Sequence, residues 1–358
     1  MKTQDRALEK AAANQRLSDV EALRLFEETD FLTIGDLANR RRLAMHPQPV
    51  VTYVVDRNIN YTNVCISECR FCAYFRRSDD DEAFVITRDA LGSKIQETLA
   101  LGGTQILIQG GMNPALSLSD YLEMLRFIKE NHPIHIHGFS PPEIAHMAET
   151  AGLSIAAVLT QLKAAGLDSI PGGGAEILVD RIRKKISPGK CSADTWLNVM
   201  ATAHRLGLKT TATMMFGHIE SPADIIEHLM KIRRLQDKTG GFTAFIPWTF
   251  QPKNTRIDVQ TATAVEYLKT LAICRLVLDN VPNLQASWVT QGEKIAQMAL
   301  AFGANDLGST MIEENVVAAA GINFRLPETE MIRLIKSAGY QAVQRDCFYN
   351  HLTESHNP

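Results

Sequence analysis

Short apolar runs alternate with longer amphipathic segments from about residue 50 onward. Eight runs have the length and composition of strands: 51–57, 105–109, 134–139, 167–170, 209–215, 243–249, 284–289 and 306–310. The segments between them place apolar residues at helical spacing, at 88–101, 118–131, 142–151, 154–164, 193–206, 222–237, 261–280, 291–302 and 311–319. Strand–helix alternation predicts parallel strands with crossover helices. Eight such units favour an α/β fold of the (β/α)8 TIM-barrel type, with a doubly wound sheet as the alternative.

The two ends of the chain lack this alternation. At the N-terminal end, Ser18 and Glu21 form an S-x-x-E capping box ahead of an apolar helical pattern, and Thr33 and Asp36 predict a second short helix in the same way. The C-terminal end predicts one helix and a closing segment. We therefore expect a single domain with three parts: an N-terminal helical extension (1–45), a barrel (46–325), and a C-terminal helix and tail (326–358).

Composition excludes several classes of protein. The chain has 358 residues, of which 45% are hydrophobic and 22% charged, which excludes a small disulfide scaffold and a disordered protein. The net charge of −3 provides no basic excess to bind nucleic acid, and no apolar run reaches the roughly 18 residues that span a membrane. The N-terminus lacks the apolar core of a secretory signal, so we expect a cytoplasmic protein whose six cysteines are thiols or metal ligands.

Three of these cysteines form a compact motif after the first predicted strand. Cys65, Cys69 and Cys72 have the spacing C-x3-C-x2-C, which lets three thiolates converge on one cofactor from a single loop. Three ligands are too few for a closed structural zinc site, whereas they suit a [4Fe–4S] cluster with one iron left open. Cys191 and the other two cysteines are isolated, and we interpret them as ordinary thiols.

The spacing of the three cysteines resembles that of the radical S-adenosylmethionine (SAM) superfamily. In that superfamily the amino and carboxylate groups of SAM chelate the open iron, so the resemblance implies one [4Fe–4S] cluster and SAM as cofactors. It covers nearly the whole chain and is greatest for the enzymes of the futalosine (menaquinone) and deazaflavin pathways. The shared phrases are NYTNVC at 60–65, FSPPEI at 139–144, PGGGAEIL at 171–178 and Gly217-His218.

Longer phrases resemble the cyclases of the futalosine pathway in particular: VVDRNINYTNVC at 54–65, FQPKNT at 250–255, ASWVTQG at 286–292 and FGANDLGSTMIEENVVAAAG at 302–321. The resemblance implies that a 5′-deoxyadenosyl radical abstracts a ribose hydrogen from dehypoxanthine futalosine. Attack on the benzoate ring and loss of an electron and a proton then give the cyclic product of menaquinone biosynthesis. It also implies flavodoxin or ferredoxin as electron donor. The net charge and the lack of a long apolar run predict no nucleic-acid or membrane partner. The alternatives are aminofutalosine synthase, a deazaflavin synthase subunit, and a non-catalytic iron–sulfur or zinc protein.

The resemblance also implies which residues bind SAM. Phe71 lies near the adenine and Tyr74 holds it through its backbone, while Gln109, Gly110 and Gly111 match the strand end that binds the SAM amino group. Met112 stands where the superfamily often has a glutamate, and the two glycines alone are also typical of a tight turn. Three further candidates follow the third and fourth predicted strands: Ser140 in the turn, Glu176 for the ribose hydroxyls, and Arg183 as a carboxylate clamp. As alternatives, Glu176 would be an acid at a helix N-terminus and Arg183 would lie on a solvated helix face.

Candidate substrate residues come from several strand ends. His135 and His137 share one face of a predicted strand, and we expect both to face the barrel interior. One of Asp56, Tyr61, His218 and Glu220 is expected to accept the proton that is released after cyclisation. Trp248 and Trp288 are candidates for stacking on the benzoate, with a core aromatic as the alternative. The remaining candidates are Asn254, Arg256, Thr290, Gln291, Asn305, Ser309 and Glu314, which as alternatives would form loop turns and helix caps.

Overall fold

The structure, a computed structural model, describes residues 3–321 and 326–352. The helices are α1 (Thr3–Ala12), α2 (Asp19–Glu28), α3 (Phe31–Met45), α4 (Arg88–Ala100), α5 (Leu118–Asn131), α6 (Pro141–Ala151), α7 (Ile155–Ala165), α8 (Asp180–Ile186), α9 (Ala193–Arg205), α10 (Pro222–Thr239), α11 (Ala264–Val277), α12 (Trp288–Gln291), α13 (Glu293–Ala299), α14 (Val316–Ala319) and α15 (Glu328–Ser337), with a 3-10 turn at Leu300–Phe302. The strands are β1 (Val50–Val54), β2 (Asp56–Asn60), β3 (Gln105–Gln109), β4 (His135–Gly138), β5 (Ser169–Ile170), β6 (Lys209–Phe216), β7 (Phe242–Thr249), β8 (Asn283–Leu284), β9 (Asp306–Ser309) and β10 (Gln341–Gln344).

The strands form a parallel barrel. β2 to β8 pair in chain order in one seven-stranded sheet, and β9, β1 and β10 form a second sheet in which β1 is central. A parallel bridge between Gln285 and Asp306 connects the end of the first sheet to β9. Because β1 runs directly into β2, the β9–β1 pairing closes the ring: β1/β2, β3, β4, β5, β6, β7, β8, β9. The predicted barrel is therefore confirmed, and each of the eight predicted strands contributes to it.

Strand alternation determines which residues face the interior. Asp56 and Asn58 line the barrel cavity, whereas Arg57 between them reaches outward to Glu97 on α4, at 2.8 Å. On β3, Gln105 and its i+2 and i+4 neighbours face the cavity, and the isoleucines between them pack in the core under the helices. Both faces of each strand are therefore covered, as is typical of parallel sheets.

The N-terminal helices pack on the outside of the barrel. Ser18 begins α2 with the predicted capping box to Glu21. The prediction that Thr33 opens the next helix is wrong, because the Asp30 carboxylate accepts hydrogen bonds from the backbone N–H groups of residues 32 and 33 and so begins α3 three residues earlier. Arg16 bonds Asp237 of α10, at 2.8 Å, which ties the extension to the barrel helices.

Several boundaries differ from the sequence prediction. The helix α8 and the strand β10 were not predicted, and the predicted 284–289 strand ends at Leu284 because Trp288 begins a helical turn. Of the predicted 311–319 helix only Val316–Ala319 is helical. The C-terminal helix is α15, and residues 353–358 of the predicted tail lie outside the described residues. Across the described ranges, no helix is both long and apolar enough to cross a membrane.

β10 extends into a segment that closes the bottom of the barrel. Arg345 forms a buried two-pronged ion pair with Asp306 of β9, with Nε–Oδ2 at 2.7 Å and Nη2–Oδ1 at 3.1 Å. Its guanidinium also lies 3.8 Å from the centre of the Tyr349 ring. Asp306 is fully buried, so this pair fixes the C-terminal segment against the strand that closes the ring.

Arg345→Met is expected to lower the free energy of unfolding by about 3–5 kcal/mol, because it leaves the Asp306 carboxylate buried without its counter-ion. Urea denaturation measures this loss. The matched control is Arg333→Met, which removes an arginine from an exposed pair with Glu330 on α15 and is expected to leave the midpoint nearly unchanged. Equal midpoints for the two variants would contradict the structural role of the buried pair.

Candidate functional site

The cluster-motif loop follows β2 at the carboxyl end of the barrel. Cys69 is buried, and Cys65 and Cys72 are half-buried. The sulfur of Cys65 accepts a hydrogen bond from the backbone N–H of Met112, at 3.4 Å, and Ser67 Oγ lies 3.2 Å from the sulfur of Cys69. Burial raises the pKa of Cys69 to about 11, so the thiol is protonated until a metal displaces the proton.

Backbone contacts hold this loop in place. The N–H of Ile66 donates to the carbonyl of Met112 after β3, at 3.1 Å, and the N–H of Arg70 donates to the carbonyl of Ile186 after α8, at 2.8 Å. Gly189 also lies against the loop, because a Cβ added there would be 2.8 Å from the backbone oxygen of Ser67. The segment after β3 and the segment after α8 therefore support the three cysteines.

The double glycine after β3 lets the cluster loop approach its neighbour. A Cβ at Gly110 would lie 2.5 Å from the ring of Tyr61, and one at Gly111 would lie 2.1 Å from the backbone oxygen of Val64. Backbone cannot move as a flexible side chain does, so Gly111 is required for close packing rather than for a turn with positive φ.

Gly111→Ala is expected to displace the cysteine loop and to reduce the iron bound after reconstitution several-fold, because the added methyl overlaps backbone oxygen. Iron content of the purified protein measures the effect. Gly92→Ala in α4 is the matched control, since the nearest atom to its Cβ lies at 3.5 Å and alanine favours a helix. Full iron loading of Gly111→Ala would contradict the close packing.

The Glu143 carboxylate connects the end of β3 to the end of β4. Its Oε1 accepts hydrogen bonds from the backbone N–H of Gly110, at 3.0 Å, and from the Tyr61 hydroxyl, at 2.7 Å. Its Oε2 accepts from the backbone N–H of Ser140, at 2.7 Å, and from the hydroxyl of the same residue. Tyr61 and Ser140 therefore bind this carboxylate. Burial raises the pKa of Tyr61 well above its ordinary value.

Glu176 is a strained, buried acid after β5. It has φ +40°, a left-handed conformation that is uncommon outside glycine, and its side chain lines the barrel cavity. Lys190 donates to its Oε1 at 2.7 Å, while its Oε2 has no hydrogen-bond partner and lies 3.6 Å from Arg183 Nη1. Burial lowers the pKa of Lys190, but the ion pair with Glu176 raises it and the net shift is upward, so the ammonium stays charged.

The Arg183 guanidinium donates its hydrogen bonds to backbone carbonyls. Its guanidinium donates to the carbonyls of Gly174 and Ala175, at 3.1 and 2.5 Å, and to the carbonyl of Cys191, at 2.6 Å. The side chain is buried and does not line the cavity. It therefore fixes the turn that carries Glu176.

The ammonium of Lys190 connects this acid to the cluster loop. It lies 5.1 Å from the centre of the Phe71 ring, which is half-buried beside the cysteines. Tyr74 is also half-buried, and burial raises its pKa to about 12. The backbone carbonyls of Tyr74 and its two neighbours accept hydrogen bonds from Arg76 Nη1, at 3.0–3.4 Å.

The barrel interior is a cavity of about 290 Å³. It is lined by polar side chains of β2, β3 and β4 and by apolar side chains of β7 and of the segment that follows β8. Of the sequence-predicted candidates, it brings together Asp56, Gln109, His137, Glu176, Trp248, Trp288, Thr290, Ser309 and Glu314.

Asp56 is the carboxylate deepest among these candidates. Gln105 Nε2 donates to its Oδ2, at 2.7 Å, and the Ser309 hydroxyl donates to its Oδ1. Burial raises the pKa of Asp56, and the two hydrogen bonds counteract that effect only in part. A carboxylate with a raised pKa is a stronger proton acceptor than an ordinary aspartate.

The two histidines of β4 meet one serine at the barrel floor. His135 Nε2 and His137 Nδ1 each lie 2.7 Å from Ser169 Oγ, and the Cys347 sulfur lies 3.3 Å from the same oxygen. Burial lowers the pKa of His137 to about 3, so its ring is neutral. His137 lines the cavity, whereas His135 packs against the Phe348 ring below it.

His218 and Glu220 lie in a different place. They line a cleft outside the barrel, between the turn after β6 and the segment before α11. The Glu220 carboxylate accepts hydrogen bonds from the N–H groups of Gly217 and His218, at 2.5 and 2.9 Å, and lies 2.8 Å from His218 Nδ1. The pair therefore stabilises the turn that follows β6.

Four substrate-binding candidates from the C-terminal third of the chain also form hydrogen bonds to other protein groups and do not line the cavity. Arg256 donates to the backbone carbonyls of residues 68 and 69 in the cluster loop, and Asn254 donates to the carbonyl of Ala319, at 2.9 Å. Asn305 is buried, with its oxygen 2.7 Å from Arg275 and its nitrogen 2.9 Å from another amide. Gln291 donates to the hydroxyl of Thr249. None of these four lines the barrel cavity.

The described residues fit an iron–sulfur cluster and SAM. Three free thiols on one loop provide the donor set of a cluster with an open iron. Gly110 and Gly111 let the end of β3 pack directly against the loop that carries Cys65, and Glu176 Oε2, which has no hydrogen-bond partner, can accept a hydrogen bond from a ribose hydroxyl. No described group of three or more His, Cys, Asp or Glu could hold a single metal ion.

Sequence reasoning missed several residues of this site. Glu143 could have been found, because Ser140 and Glu143 form the same capping-box pattern that identified Ser18. Lys190, Asn58 and Gln105 gave no such signal, because each meets its carboxylate partner only through the fold.

Two family descriptions match the chain in succession. The radical SAM superfamily matches residues 59–232, and the CofH/MqnC C-terminal region matches residues 239–357. The first covers the cluster loop, the end of β2 and the strands β3 to β6, and the second covers the strands β7 to β10 and the closing segment.

Curated relatives carry two different names. Cyclic dehypoxanthine futalosine synthase of Halalkalibacterium halodurans is 45% identical over 347 residues, which are 96% of this chain and 94% of the relative. The protein of the same name from Streptomyces coelicolor is 43% identical over 356 residues, 98% and 89% of the two chains. The 5-amino-6-(D-ribitylamino)uracil–L-tyrosine 4-hydroxyphenyl transferase of Methanopyrus kandleri is 44% identical over 308 residues, 84% of each chain.

Solved structures share the fold at low sequence identity. The FeFe-hydrogenase maturase HydG from Carboxydothermus hydrogenoformans matches with a TM-score of 0.76 at 14% identity, covering 96% of this chain and 80% of the maturase. Methylornithine synthase (PylB) matches with a TM-score of 0.71 at 17% identity, covering 94% and 97% of the two chains.

Proposed function

Because this chain belongs to the radical SAM superfamily, we propose that it cyclises dehypoxanthine futalosine by abstraction of a ribose hydrogen, ring closure on the benzoate, and loss of a proton and of one electron, which the oxidised iron–sulfur cluster would accept. The observation that carries the proposal is the 43–45% identity, over nearly the whole chain, to two bacterial proteins named for this product. The similarity includes the closing segment that lines the barrel floor, as well as the cluster loop.

The cluster and SAM, when bound, supply the 5′-deoxyadenosyl radical. Cys65, Cys69 and Cys72 would hold the cluster at the mouth of the barrel. The backbone of Gly110 and Gly111, with Gln109, would bind the amino end of SAM, and Phe71 and Tyr74 would hold its adenine. Glu176 would accept hydrogen bonds from its ribose through the free Oε2, supported by its turned backbone and by the salt bridge to Lys190.

Two candidates for SAM binding act indirectly in this proposal. Arg183 is a positioning residue, because its guanidinium holds the carbonyls next to Glu176. Ser140 positions Glu143, whose carboxylate fixes the N–H of Gly110. Arg256 likewise holds the cluster loop through the carbonyl of Cys69.

Asp56 is the proposed acceptor of the proton that the ring releases. Of the four candidates for this role, it alone lines the cavity among the described residues. Tyr61 is bonded to Glu143, and His218 and Glu220 lie in the outer cleft. Trp248 and Trp288 provide the aromatic surface against which the benzoate would pack, with the indole N–H of Trp288 held by the carbonyl of Ser309 at 2.9 Å.

The remaining substrate-binding candidates fall into two groups, according to whether they line the cavity. Thr290, Ser309, Glu314 and His137 line the cavity and would contact the substrate. Asn254, Gln291 and Asn305 would act through the loops and strands that they hold, and His135 through the floor serine.

A one-electron carrier of the flavodoxin or ferredoxin type is the proposed reductant, and the cytoplasm is the proposed location. All six cysteines are unpaired, which is typical of a reducing compartment. We also propose that segments 1–45, 46–325 and 326–358 form a single folding unit, because described residues of all three contribute to one hydrophobic core.

An anaerobic assay tests the reaction. The protein is reconstituted with iron and sulfide, mixed with dithionite, SAM and dehypoxanthine futalosine, and the products are analysed by mass spectrometry. We expect 5′-deoxyadenosine together with a product lighter than the substrate by two hydrogens. No 5′-deoxyadenosine from a protein with an intact cluster would overturn the reaction class.

The second candidate function is the tyrosine-derived 4-hydroxyphenyl transfer named for the archaeal relatives, which the 44% identity to the Methanopyrus kandleri protein favours. The same assay with 5-amino-6-(D-ribitylamino)uracil and tyrosine separates the two functions. A new adduct in that incubation, with no change in dehypoxanthine futalosine, would replace the cyclase proposal with the transferase.

A further inference from the structure

Five polar side chains form one wall of the barrel cavity, which we call the acceptor wall: Asp56, Asn58, Gln105, Ser309 and Glu314. We propose that the acceptor wall binds the ribose hydroxyls of the substrate, with Asn58 and Gln105 as the residues that determine specificity for them. The inference rests on the proposed function, and it assigns Asn58 and Gln105 a role that neither the cysteine motif nor the relatives' names imply.

Carboxylates fix the orientation of both amides. Asn58 Nδ2 donates to Glu314 Oε2, at 2.8 Å, and Gln105 Nε2 donates to Asp56 Oδ2, at 2.7 Å. Each carbonyl oxygen therefore points away from its carboxylate, and neither Asn58 Oδ1 nor Gln105 Oε1 has a hydrogen-bond partner. Both side chains are about 95% buried, so leaving these oxygens unpaired is costly unless a ligand donates to them.

The rest of the wall also accepts hydrogen bonds. The Ser309 hydroxyl already donates to Asp56, and Glu314 Oε1 accepts from the N–H groups of Val316 and Val317, at 2.8 and 3.0 Å. A ligand group that faces this surface meets two carboxylates and two free carbonyl oxygens. It must therefore be a hydrogen-bond donor without negative charge, which fits sugar hydroxyls and disfavours the benzoate carboxylate.

The acceptor wall lies deeper in the barrel than the proposed SAM site. Asp56 and Gln105 are register partners, as are Asn60 and Gln109 at the carboxyl ends of the same strands. Four residues at about 3.3 Å each place the lower pair about 13 Å below the upper one. Asn58 and Gln105 therefore line the part of the cavity below the strand ends that hold the cluster loop, where the second substrate would lie next to SAM.

The opposite wall is apolar. Ile246, Trp248, Ala286, Trp288 and Val289 line the β7–β8 side of the same cavity. A molecule with a polyhydroxylated end and an aromatic end is thereby oriented across the barrel. Its ribose would point to β2 and β3 and its ring to the tryptophans.

Equilibrium binding tests the wall without turnover. The protein loaded with cluster and SAM, but without reductant, is titrated calorimetrically with dehypoxanthine futalosine and with analogues that each lack one ribose hydroxyl. We expect Asn58→Leu and Gln105→Met each to weaken binding of the full substrate about tenfold. At least one deoxy analogue should bind the unaltered protein about tenfold more weakly and lose little further affinity in the matching variant.

Gln236→Met is the matched control, because this buried amide in α10 is bonded at both ends and does not line the cavity. It should not change the dissociation constant. If the variants at 58 and 105 fail to fold, the deoxy analogues on the unaltered protein still test the wall. Equal affinity for all analogues, or unchanged affinity in both variants, would overturn the acceptor wall alone. No binding of dehypoxanthine futalosine by the loaded, unaltered protein would overturn both this inference and the proposed function.

Discussion

Replacing Cys65, Cys69 or Cys72 with alanine is expected to abolish SAM cleavage, reducing 5′-deoxyadenosine to background. A [4Fe–4S] cluster that keeps one iron open for SAM has only these three protein ligands, so none of them is redundant. The other three cysteines lie outside this loop. Iron and sulfide content, followed by 5′-deoxyadenosine formation with dithionite, measure the effect.

The isolated cysteines provide the controls. Cys191→Ser is the best matched, because this half-buried thiol contributes only its backbone carbonyl to the site, through Arg183. Cys274→Ala and Cys347→Ala should also retain iron, although both thiols are buried and their loss costs stability. SAM cleavage in any of the three motif variants, or loss of iron from Cys191→Ser, would refute the ligand assignment.

Asp56→Asn is expected to lower the rate of product formation by about 10²- to 10⁴-fold, the usual contribution of a positioned proton acceptor. Asparagine keeps the shape of the side chain and one acceptor oxygen for the donors Gln105 and Ser309, so the cavity should persist. Formation of 5′-deoxyadenosine should continue, because SAM binds at the other end of the cavity. The ratio of 5′-deoxyadenosine to cyclised product therefore rises in the variant.

The pH profile provides a second readout for Asp56. Burial raises the pKa of Asp56, and only the carboxylate can accept a proton. The rate of product formation should thus fall as the pH decreases through this raised pKa, at a higher pH than for an exposed aspartate, and Asp56→Asn should remove that limb. Glu220→Gln, in the outer cleft, should preserve the ratio of products. A normal product ratio in Asp56→Asn, or an altered one in Glu220→Gln, would exclude Asp56 as the acceptor.

Much of the fold was predictable because it depends on local periodicity. Each of the eight predicted strands contributes to the barrel, since buried parallel strands are short, apolar and separated by amphipathic helices. The predicted strand boundaries were wrong where a tertiary contact competed with the hydrophobic pattern. The 284–289 strand ends early, because the backbone N–H of Ser287 donates to the Tyr267 hydroxyl, at 2.7 Å, and not to a neighbouring strand.

The cluster loop was predictable for a similar reason. Its three cysteines lie within eight residues, so their meeting requires no information about the rest of the fold. The same holds for the glycines after β3, since strand-end position alone places them beside the loop. Sequence could not show that Gly111 packs against the oxygen of Val64, because that contact joins two loops.

The sequence by itself determined the barrel, the cysteine loop and the family resemblance, since all three are properties of neighbouring residues and their spacing. Only the tertiary structure decided which polar candidates share the cavity. Asp56 and Ser309 are 253 residues apart in the chain yet hydrogen-bonded, whereas His218 and Glu220 lie close to a strand end but turn outward. Arg183 and Asn305 are bound to protein groups. The direction of a side chain and the identity of its partner depend on how distant strands register, and no local pattern encodes that.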